Sequence, residues 1–166
     1  MLDYNALAAW AAVAASAIAV YAIWIESRRS RFALGIDLFL KLDERFGDNR
    51  MLVARRAAAM ALSSENKADA DDVLDFFEMV GLLVRRGALD EYVVWHNFFY
   101  WIHRYYLSAK DHIDTIQSED PTIWADLTQL YSRLASIEKK ERQCSVSQLQ
   151  LTEEELTEFL NEEMSL

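Results

Sequence analysis

The chain has few of the residues that interrupt or cross-link a polypeptide. Its 166 residues include one cysteine, one proline and four glycines. The single cysteine, Cys144, excludes an internal disulfide, and no histidine lies close to it in sequence, so we expect no nucleophilic role for it. Because sheets need more turn-forming residues than this, the composition predicts an all-α fold.

Positive charge is also scarce. The chain carries 17 Lys and Arg against 27 Asp and Glu, which gives a formal net charge of -10. Binding to a phosphate backbone needs a basic face, so this composition excludes nucleic acid as the main partner. The charge is uneven, since 143–166 contains six Glu and no Lys or Arg.

One long stretch lacks charge altogether. From Leu7 to Ile25 the sequence reads LAAWAAVAASAIAVYAIWI, in which Ser16 is the only small polar residue. As a helix with a rise of about 1.5 Å per residue, this stretch crosses most of a roughly 30 Å hydrocarbon layer. We therefore expect a single amino-terminal transmembrane helix; the alternative is a buried alanine-rich helix of a soluble domain.

Aromatic and basic residues flank this stretch as at a membrane interface. The aromatic anchors near its ends are Trp10, Tyr21 and Trp24. The stretch is followed directly by Arg28, Arg29 and Arg31. The positive-inside rule then places the short amino terminus outside and the remainder of the chain in the cytoplasm. Residues 1–31 are thus predicted to be an anchor whose arginines contact anionic lipid, with the bilayer as one partner.

Small residues recur every four positions along the same stretch. One line contains Ala8, Ala12 and Ser16, and the next contains Ala11, Ala15 and Ala19. Such a face lets two helix backbones approach closely, so we expect self-association or docking on another helix.

Helical periodicity continues through 32–142, which we predict to be a cytoplasmic bundle of about five helices. The first segment ends near Phe46, where Gly47 to Asn49 forms a turn. Helices are then expected at 50–62, 71–86 and 90–108, with Gly87 ending the middle one. Asp120 and Pro121 predict a further helix start, and its seam consists of Ile123, Leu127, Leu130, Leu134 and Ile137.

The acidic segment 143–166 is expected to form a separate amphipathic helix. Thr152 is followed three positions later by Glu155, which is the spacing of a capping box. The apolar side of this helix is predicted to bind a partner protein through Leu156, Phe159, Leu160 and Met164.

The stretch VLDFFEMVGLLVRRGALDEYVVW, with FFYWIHRYY after it, resembles a family of uncharacterised bacterial proteins. The resemblance is strongest from Val73 to Tyr106 and extends more loosely over 50–62 and 121–127. In that family one amino-terminal membrane helix precedes a small cytoplasmic helical domain. The resemblance therefore implies the bacterial inner membrane as the location, and it implies no catalytic residue or activity.

Within the resembling stretch, two helices are predicted to pack as an antiparallel hairpin about Gly87. In that register the glycine at position 81 lies opposite Trp95 and makes room for the indole. Arg85 pairs with Glu91 in the same register, and Arg104 approaches Asp72 or Asp75.

Arginines and large rings of the central helices are the candidate ligand-binding residues. Guanidinium groups beside aromatic rings are suited to a small anion or a nucleotide. The candidates are Arg55, Arg85, Arg86, Trp95, His96, Tyr100, His103 and Arg104. The alternative is that the arginines tie helices together through carboxylates or stay solvated.

A metal site is also conceivable from Asp75, Glu78, His96 and His103. The known di-metal pattern of helical bundles requires Glu and His three residues apart on two helices, and this spacing is absent. We expect no metal and no cofactor.

The sequence predicts an interaction or scaffold module that belongs to a larger assembly and is anchored in a membrane. A protein partner or a homo-oligomer is expected. No catalytic constellation is recognisable, so we expect no enzyme. The alternative is a membrane-tethered sensor that binds a small anionic ligand through its arginines and rings.

Overall fold

The computed structural model describes residues 4–64, 68–143 and 149–166, which form seven α-helices and one short 3-10 turn at Ala68–Ala70. The helices are α1 (Tyr4–Gly47), α2 (Asn49–Leu62), α3 (Asp71–Arg85), α4 (Glu91–Ser108), α5 (Lys110–Glu119), α6 (Ala125–Arg142) and α7 (Glu153–Met164). The described ranges contain no strand, so the all-α prediction is confirmed. Cys144 lies outside the described residues.

The chain forms two compact units that divide between Asp37 and Leu38. The first unit contains α1 up to Asp37. The second contains the last part of α1 and all the later helices, including α7, so the acidic helix is part of the same compact unit as α2 to α6.

The prediction of a transmembrane helix is wrong. Residues 7–25 do lie within α1, but no helix in the described part of the chain holds a stretch long and apolar enough to cross a membrane. Nine of the nineteen residues from Leu7 to Ile25 are alanine, whose small side chain contributes little to transfer into lipid. The side chains of 1–9, 11–15 and Arg31 lie outside the described residues.

The prediction of about five helices in the bundle is also wrong. Helix α5 was not expected, because 109–119 contains neither glycine nor proline to mark a break. The chain turns at Ala109, which is fully buried, and a new helix begins at Lys110. The helix expected from Asp120 begins only at Ala125, because residues 121–124 form a turn.

Most helix ends follow from local sequence. Asp48 accepts a hydrogen bond from the Met51 backbone N–H at the start of α2, and Asp90 caps α4 in the same way. Gly87 adopts a left-handed conformation with φ +69° after α3, and Ala88 N–H donates to the Leu83 carbonyl, as in a Schellman motif. The predicted capping box of α7 is confirmed.

Aromatic rings form the centre of the second unit. The ring of Phe46, near the end of α1, lies 5.3 Å from Phe76, 5.5 Å from Phe98 and 5.3 Å from Trp101. Tyr105 and the α7 residue Phe159 meet edge to face at 5.0 Å. Such contacts stabilise the packing beyond the apolar area that they bury.

One face of α3 receives the start of α6. A Cβ on Gly81 would lie 2.6 Å from the carbonyl carbon of Asp126, so only glycine allows the two backbones to come this close. The prediction that Gly81 makes room for Trp95 is therefore wrong. The expected pair of Arg85 with Glu91 is also wrong, because Arg85 binds Asp126, with 2.9 Å between Nη2 and Oδ2, and Glu91 binds Arg133.

The polar residues of α3 serve the same contact. Glu78 accepts hydrogen bonds from the backbone N–H groups of Asp126 and Leu127, at 3.2 and 2.6 Å, and so caps α6 from another helix. Burial raises the pKa of Glu78, while the two backbone hydrogen bonds act in the opposite direction. Asp75 accepts from the indole N–H of Trp124 at 2.8 Å, and the Trp124 backbone is in the left-handed conformation with φ 52°.

A buried ion pair attaches α7 to α2. Arg55 donates from Nε and Nη2 to the two carboxylate oxygens of Glu163, at 2.7 and 2.6 Å. The Tyr105 hydroxyl donates to the same carboxylate at 2.6 Å, and the guanidinium lies 4.4 Å from the centre of the Phe46 ring. Burial alone would lower the pKa of Arg55, but the hydrogen bond and charge of Glu163 raise it overall, which keeps the guanidinium charged.

Replacing Gly81 with alanine should lower the free energy of unfolding by about 1–3 kcal/mol, because the methyl group forces α3 and α6 apart. Urea denaturation of the full chain measures this. The control is Gly47→Ala, since a Cβ there meets nothing within 4 Å. That change should be neutral or stabilise by up to about 1 kcal/mol. Equal effects of the two changes would contradict the close approach.

Arg55→Met should cost about 3–5 kcal/mol of stability, because it leaves the Glu163 carboxylate buried without a cation. The double variant with Glu163→Met should lose less than Arg55→Met alone, since no unpaired charge remains. A double-mutant cycle by urea denaturation measures the coupling. The half-exposed pair Arg133 and Glu91 is the control and should couple by about 0–1 kcal/mol.

Candidate functional site

A cleft on the second unit brings together five of the eight candidate ligand-binding residues. They are Trp95, His96, Tyr100, His103 and Arg104, and all belong to α4. The cleft has a volume of 390 Å³. Its other lining residues are Asn97, Phe99, Glu138, Arg142, Leu149 and Leu151. The cleft is therefore formed by α4, α6 and the segment that precedes α7.

The other three candidates lie elsewhere. Arg55 is buried against Glu163, and Arg85 binds Asp126 at the start of α6. Arg86 follows α3 and is exposed, and it does not line the cleft. The arginines proposed as one cluster are thus not together: Arg55 and Arg85 each bind a carboxylate of another helix, Arg86 is exposed, and Arg104 lines the cleft.

His103 is the buried polar residue of the cleft, with 4% of its surface exposed. Its ring hydrogen-bonds to the Leu149 backbone, whereas Nδ1 is buried and has no hydrogen-bond partner among the described residues. The ring lies between Phe99, at 5.0 Å, and Tyr131, at 5.7 Å. An unpaired buried polar atom is costly, so a partner for Nδ1 would stabilise the site.

The surroundings of His103 favour its neutral form. Burial lowers the pKa of the ring below its ordinary value, and the charge of Arg104 lowers it further. The Leu149 hydrogen bond and the charge of Glu138 act in the opposite direction without reversing the shift. A neutral imidazole has one donor and one acceptor nitrogen, so with the proton on Nε2 the unpaired Nδ1 is a hydrogen-bond acceptor.

The guanidinium of Arg104 lies over the ring of Tyr100, with its central carbon 3.8 Å from the ring centre. The Tyr100 hydroxyl in turn donates to Glu162 of α7 at 3.4 Å. In the described part of the chain, no carboxylate lies within ion-pair distance of Arg104. The expected approach of Arg104 to Asp72 or Asp75 does not occur, since Asp75 binds Trp124.

Glu138 provides the negative charge of the cleft and was not predicted. It is buried, and its carboxylate accepts from the Trp95 indole N–H and from Arg142 Nε, each at 2.7 Å. Sequence reasoning placed 138 just after the Ile137 seam and gave it no role. The one feature of the sequence that could have indicated a buried Glu138 is its position directly after Ile137 of the seam.

The residues considered for a metal site do not converge. Asp75 and Glu78 are engaged at the start of α6, whereas His96 and His103 line the cleft. Among the described residues, no group of three or more His, Cys, Asp or Glu is placed to hold a metal ion.

The predicted partner-binding residues of α7 pack within the chain. Phe159 and Leu160 are buried in the core, and Leu156 and Met164 are partly buried. Phe159 and Leu160 therefore have little apolar surface left for a partner while α7 is packed, and partner binding through this helix stays a prediction. The predicted membrane-interface residues differ in this respect, because Trp10, Tyr21, Trp24, Arg28 and Arg29 are all exposed.

The lowered pKa of His103 predicts that stability falls on mild acidification. Below about pH 6.5 the unfolded state binds a proton that the folded state does not, so unfolding becomes easier until the pH reaches the lowered pKa. The loss is at most about 1.4 kcal/mol per pH unit for one group. Urea denaturation of the wild type and of His103→Gln between pH 7.5 and 5 isolates this contribution. His96→Gln is the exposed control and should keep the wild-type slope; an unchanged slope in His103→Gln would contradict the assignment.

Most of the chain matches a known protein family. No curated protein and no solved structure matches the chain. Residues 9–134 match the model of a family described as a domain of unknown function, DUF4760. The match includes α2 to α5, nearly all of α1 and the first half of α6, and it contains the stretch whose resemblance to an uncharacterised family was noted in the sequence. The chain therefore belongs to the DUF4760 family.

Proposed function

We propose that the protein is a helical interaction module that associates with other copies of itself through an arm, defined as residues Tyr4 to Asp37 of α1. The observation that supports this is the exposure of large apolar side chains along the arm. They are Trp10, Ile18, Val20, Tyr21, Ile23, Trp24, Phe32 and Leu34. An exposed apolar surface of this kind is typical of an interaction site.

The exposed side chains point to several sides of the helix. At about 100° per residue, Ile18, Val20, Tyr21 and Ile23 are spread around the axis instead of forming one stripe. A helix that is apolar on most sides is stable in water only when several neighbours cover it. Several arms that pack together would cover all sides of each helix. A partner with one flat surface would cover only one side.

Charge also favours contact through the arm. The chain has a net charge of -10, so copies repel one another over most of their surface. Residues 4–25 contain no charged side chain, and small residues such as Ala19 recur along them. Association through this stretch therefore avoids like-charge repulsion and allows close approach.

A lipid surface is the second candidate partner. Tyr21 and Trp24 stack at 6.1 Å, and the guanidinium of Arg28 lies 4.4 Å from the centre of the Trp24 ring. Aromatic rings beside arginine are suited to the boundary between anionic headgroups and acyl chains. Location at a bacterial inner membrane remains a prediction of the sequence.

The test is the mass of the full chain in solution. Wild-type protein should elute as an oligomer by size exclusion with light scattering, and Ile18→Lys with Ile23→Lys should shift it to monomer, because two charges are placed on the arm. Val53→Lys is the control, since Val53 on α2 has the same exposed fraction as Ile18, 69%. It should leave the oligomer intact. Wild-type protein that is monomeric at about 50 μM would overturn self-association.

Flotation with vesicles separates the second candidate from the first. Monomeric protein that floats with anionic vesicles but not with zwitterionic ones, and loses this in an Arg28→Gln and Arg29→Gln variant, would identify a lipid surface as the partner. Protein that stays in solution with both kinds of vesicle and remains oligomeric would favour the arm bundle.

A further inference from the structure

We propose that the cleft of α4, α6 and Leu149 binds a small aromatic monocarboxylate that carries one hydrogen-bond donor. The site goes beyond the interaction function, because all its residues belong to the second unit. Three features of the cleft define the ligand: an unpaired acceptor, an arginine without a carboxylate, and flat walls.

The acceptor is Nδ1 of His103. The ring is 4% exposed, and Nδ1 has no partner among the described residues. It is not reached by solvent in this structure, so a ligand must displace a covering side chain to contact it. A hydroxyl or N–H on the ligand would then satisfy the acceptor, whereas a ligand that offers only acceptors would leave it unpaired.

The cation is Arg104. Its guanidinium packs over the Tyr100 ring, and among the described residues its hydrogen bond is a long contact of 3.4 Å to the Tyr100 carbonyl. The fork of a guanidinium matches the two oxygens of a carboxylate. Because the guanidinium is already oriented, little rotational freedom is lost when the carboxylate binds.

The charge of the cleft favours a single negative charge on the ligand. Arg104 and Arg142 provide two positive charges, and the buried carboxylate of Glu138 provides one negative charge, already bound to Arg142. The electrostatic effect of Arg104 also extends to Glu155 at the start of α7. A doubly charged phosphate would meet repulsion from these two acids, so a monocarboxylate is preferred.

The walls of the cleft favour a ring. Trp95, Phe99 and Tyr100 line it, and its volume of 390 Å³ lies at the lower end of the range for small-molecule sites. Aromatic side chains pack well against a second flat ring. A one-ring ligand would contact these walls while its carboxylate meets Arg104.

The test uses the full chain and the three isomers of hydroxybenzoate, with benzoate and inorganic phosphate as comparison probes. One hydroxybenzoate should bind with a dissociation constant below about 1 mM by calorimetry, which is reasonable for ten non-hydrogen atoms. Benzoate should bind about tenfold more weakly, because it lacks the donor for Nδ1. Phosphate should not bind measurably. Absence of hydroxybenzoate binding up to about 10 mM would overturn the proposal.

Variants locate the site. Arg104→Gln should weaken binding at least tenfold, and Arg86→Gln, an exposed arginine outside the cleft, should leave it unchanged. His103→Asn keeps a polar atom near Nδ1, whereas His103→Gln places it near Nε2, so binding should be retained better in the asparagine variant. Equal affinities of wild type and Arg104→Gln would show that the cleft is not the site.

The histidine ring itself reports the contact. The ¹⁵N chemical shift of Nδ1 in labelled protein should move on adding the hydroxybenzoate and should stay unchanged on adding benzoate. Binding with no change at Nδ1 would overturn the donor requirement. This readout does not depend on the oligomeric state, so it fails or succeeds independently of the proposed interaction function.

Discussion

The close approach of α3 and α6 at Gly81 determines the arrangement of the second unit. Without a side chain at this position, the start of α6 rests on α3, where Glu78 caps it and Arg85 binds Asp126. Because the start of α6 is fixed at this point, the apolar seam residues of α6 pack along α3 and α4. The cleft depends on this contact, because Glu138 and Arg142 lie more than three turns further along the same helix.

Two kinds of polar residue can be distinguished in this unit. Arg55 and Glu78 are buried or partly buried, and each binds a polar partner on another helix. Their role is structural, since burial of a charged group is tolerated only with such partners. His103 and Arg104 are different, because the described chain does not complete their interactions. The cleft is therefore distinguished by its unsatisfied groups more than by its size.

The sequence predicted what depends on neighbours along the chain. The capping box at Thr152 and the stop at Gly87 require only local residues, and both predictions are confirmed. The strip of α4 that lines the cleft was also predictable, since helical spacing alone places His96, Tyr100, His103 and Arg104 on one side.

Contacts between distant segments were not predictable in the same way. The partner of Gly81 lies 45 positions away on α6, and no pattern near Gly81 indicates it. The role of Glu138 depends on how α6 is seated, so the helical pattern alone could not reveal it. The amino-terminal stretch differs from a transmembrane helix for another reason: it has no charge, but nearly half of its residues are alanine, which is only weakly apolar.

The ion pair of Arg55 and Glu163 joins two residues that are 108 positions apart. A fragment of this chain that keeps the pair must therefore include α7. The family match ends at residue 134, within α6, so the matched segment contains the arginine without its carboxylate. A fragment cut at that boundary would hold a guanidinium against the ring of Phe46 with no counter-charge, and Phe159 would be missing from the aromatic centre. In this chain the family match and the compact unit therefore end at different residues, and α7 belongs to the compact unit.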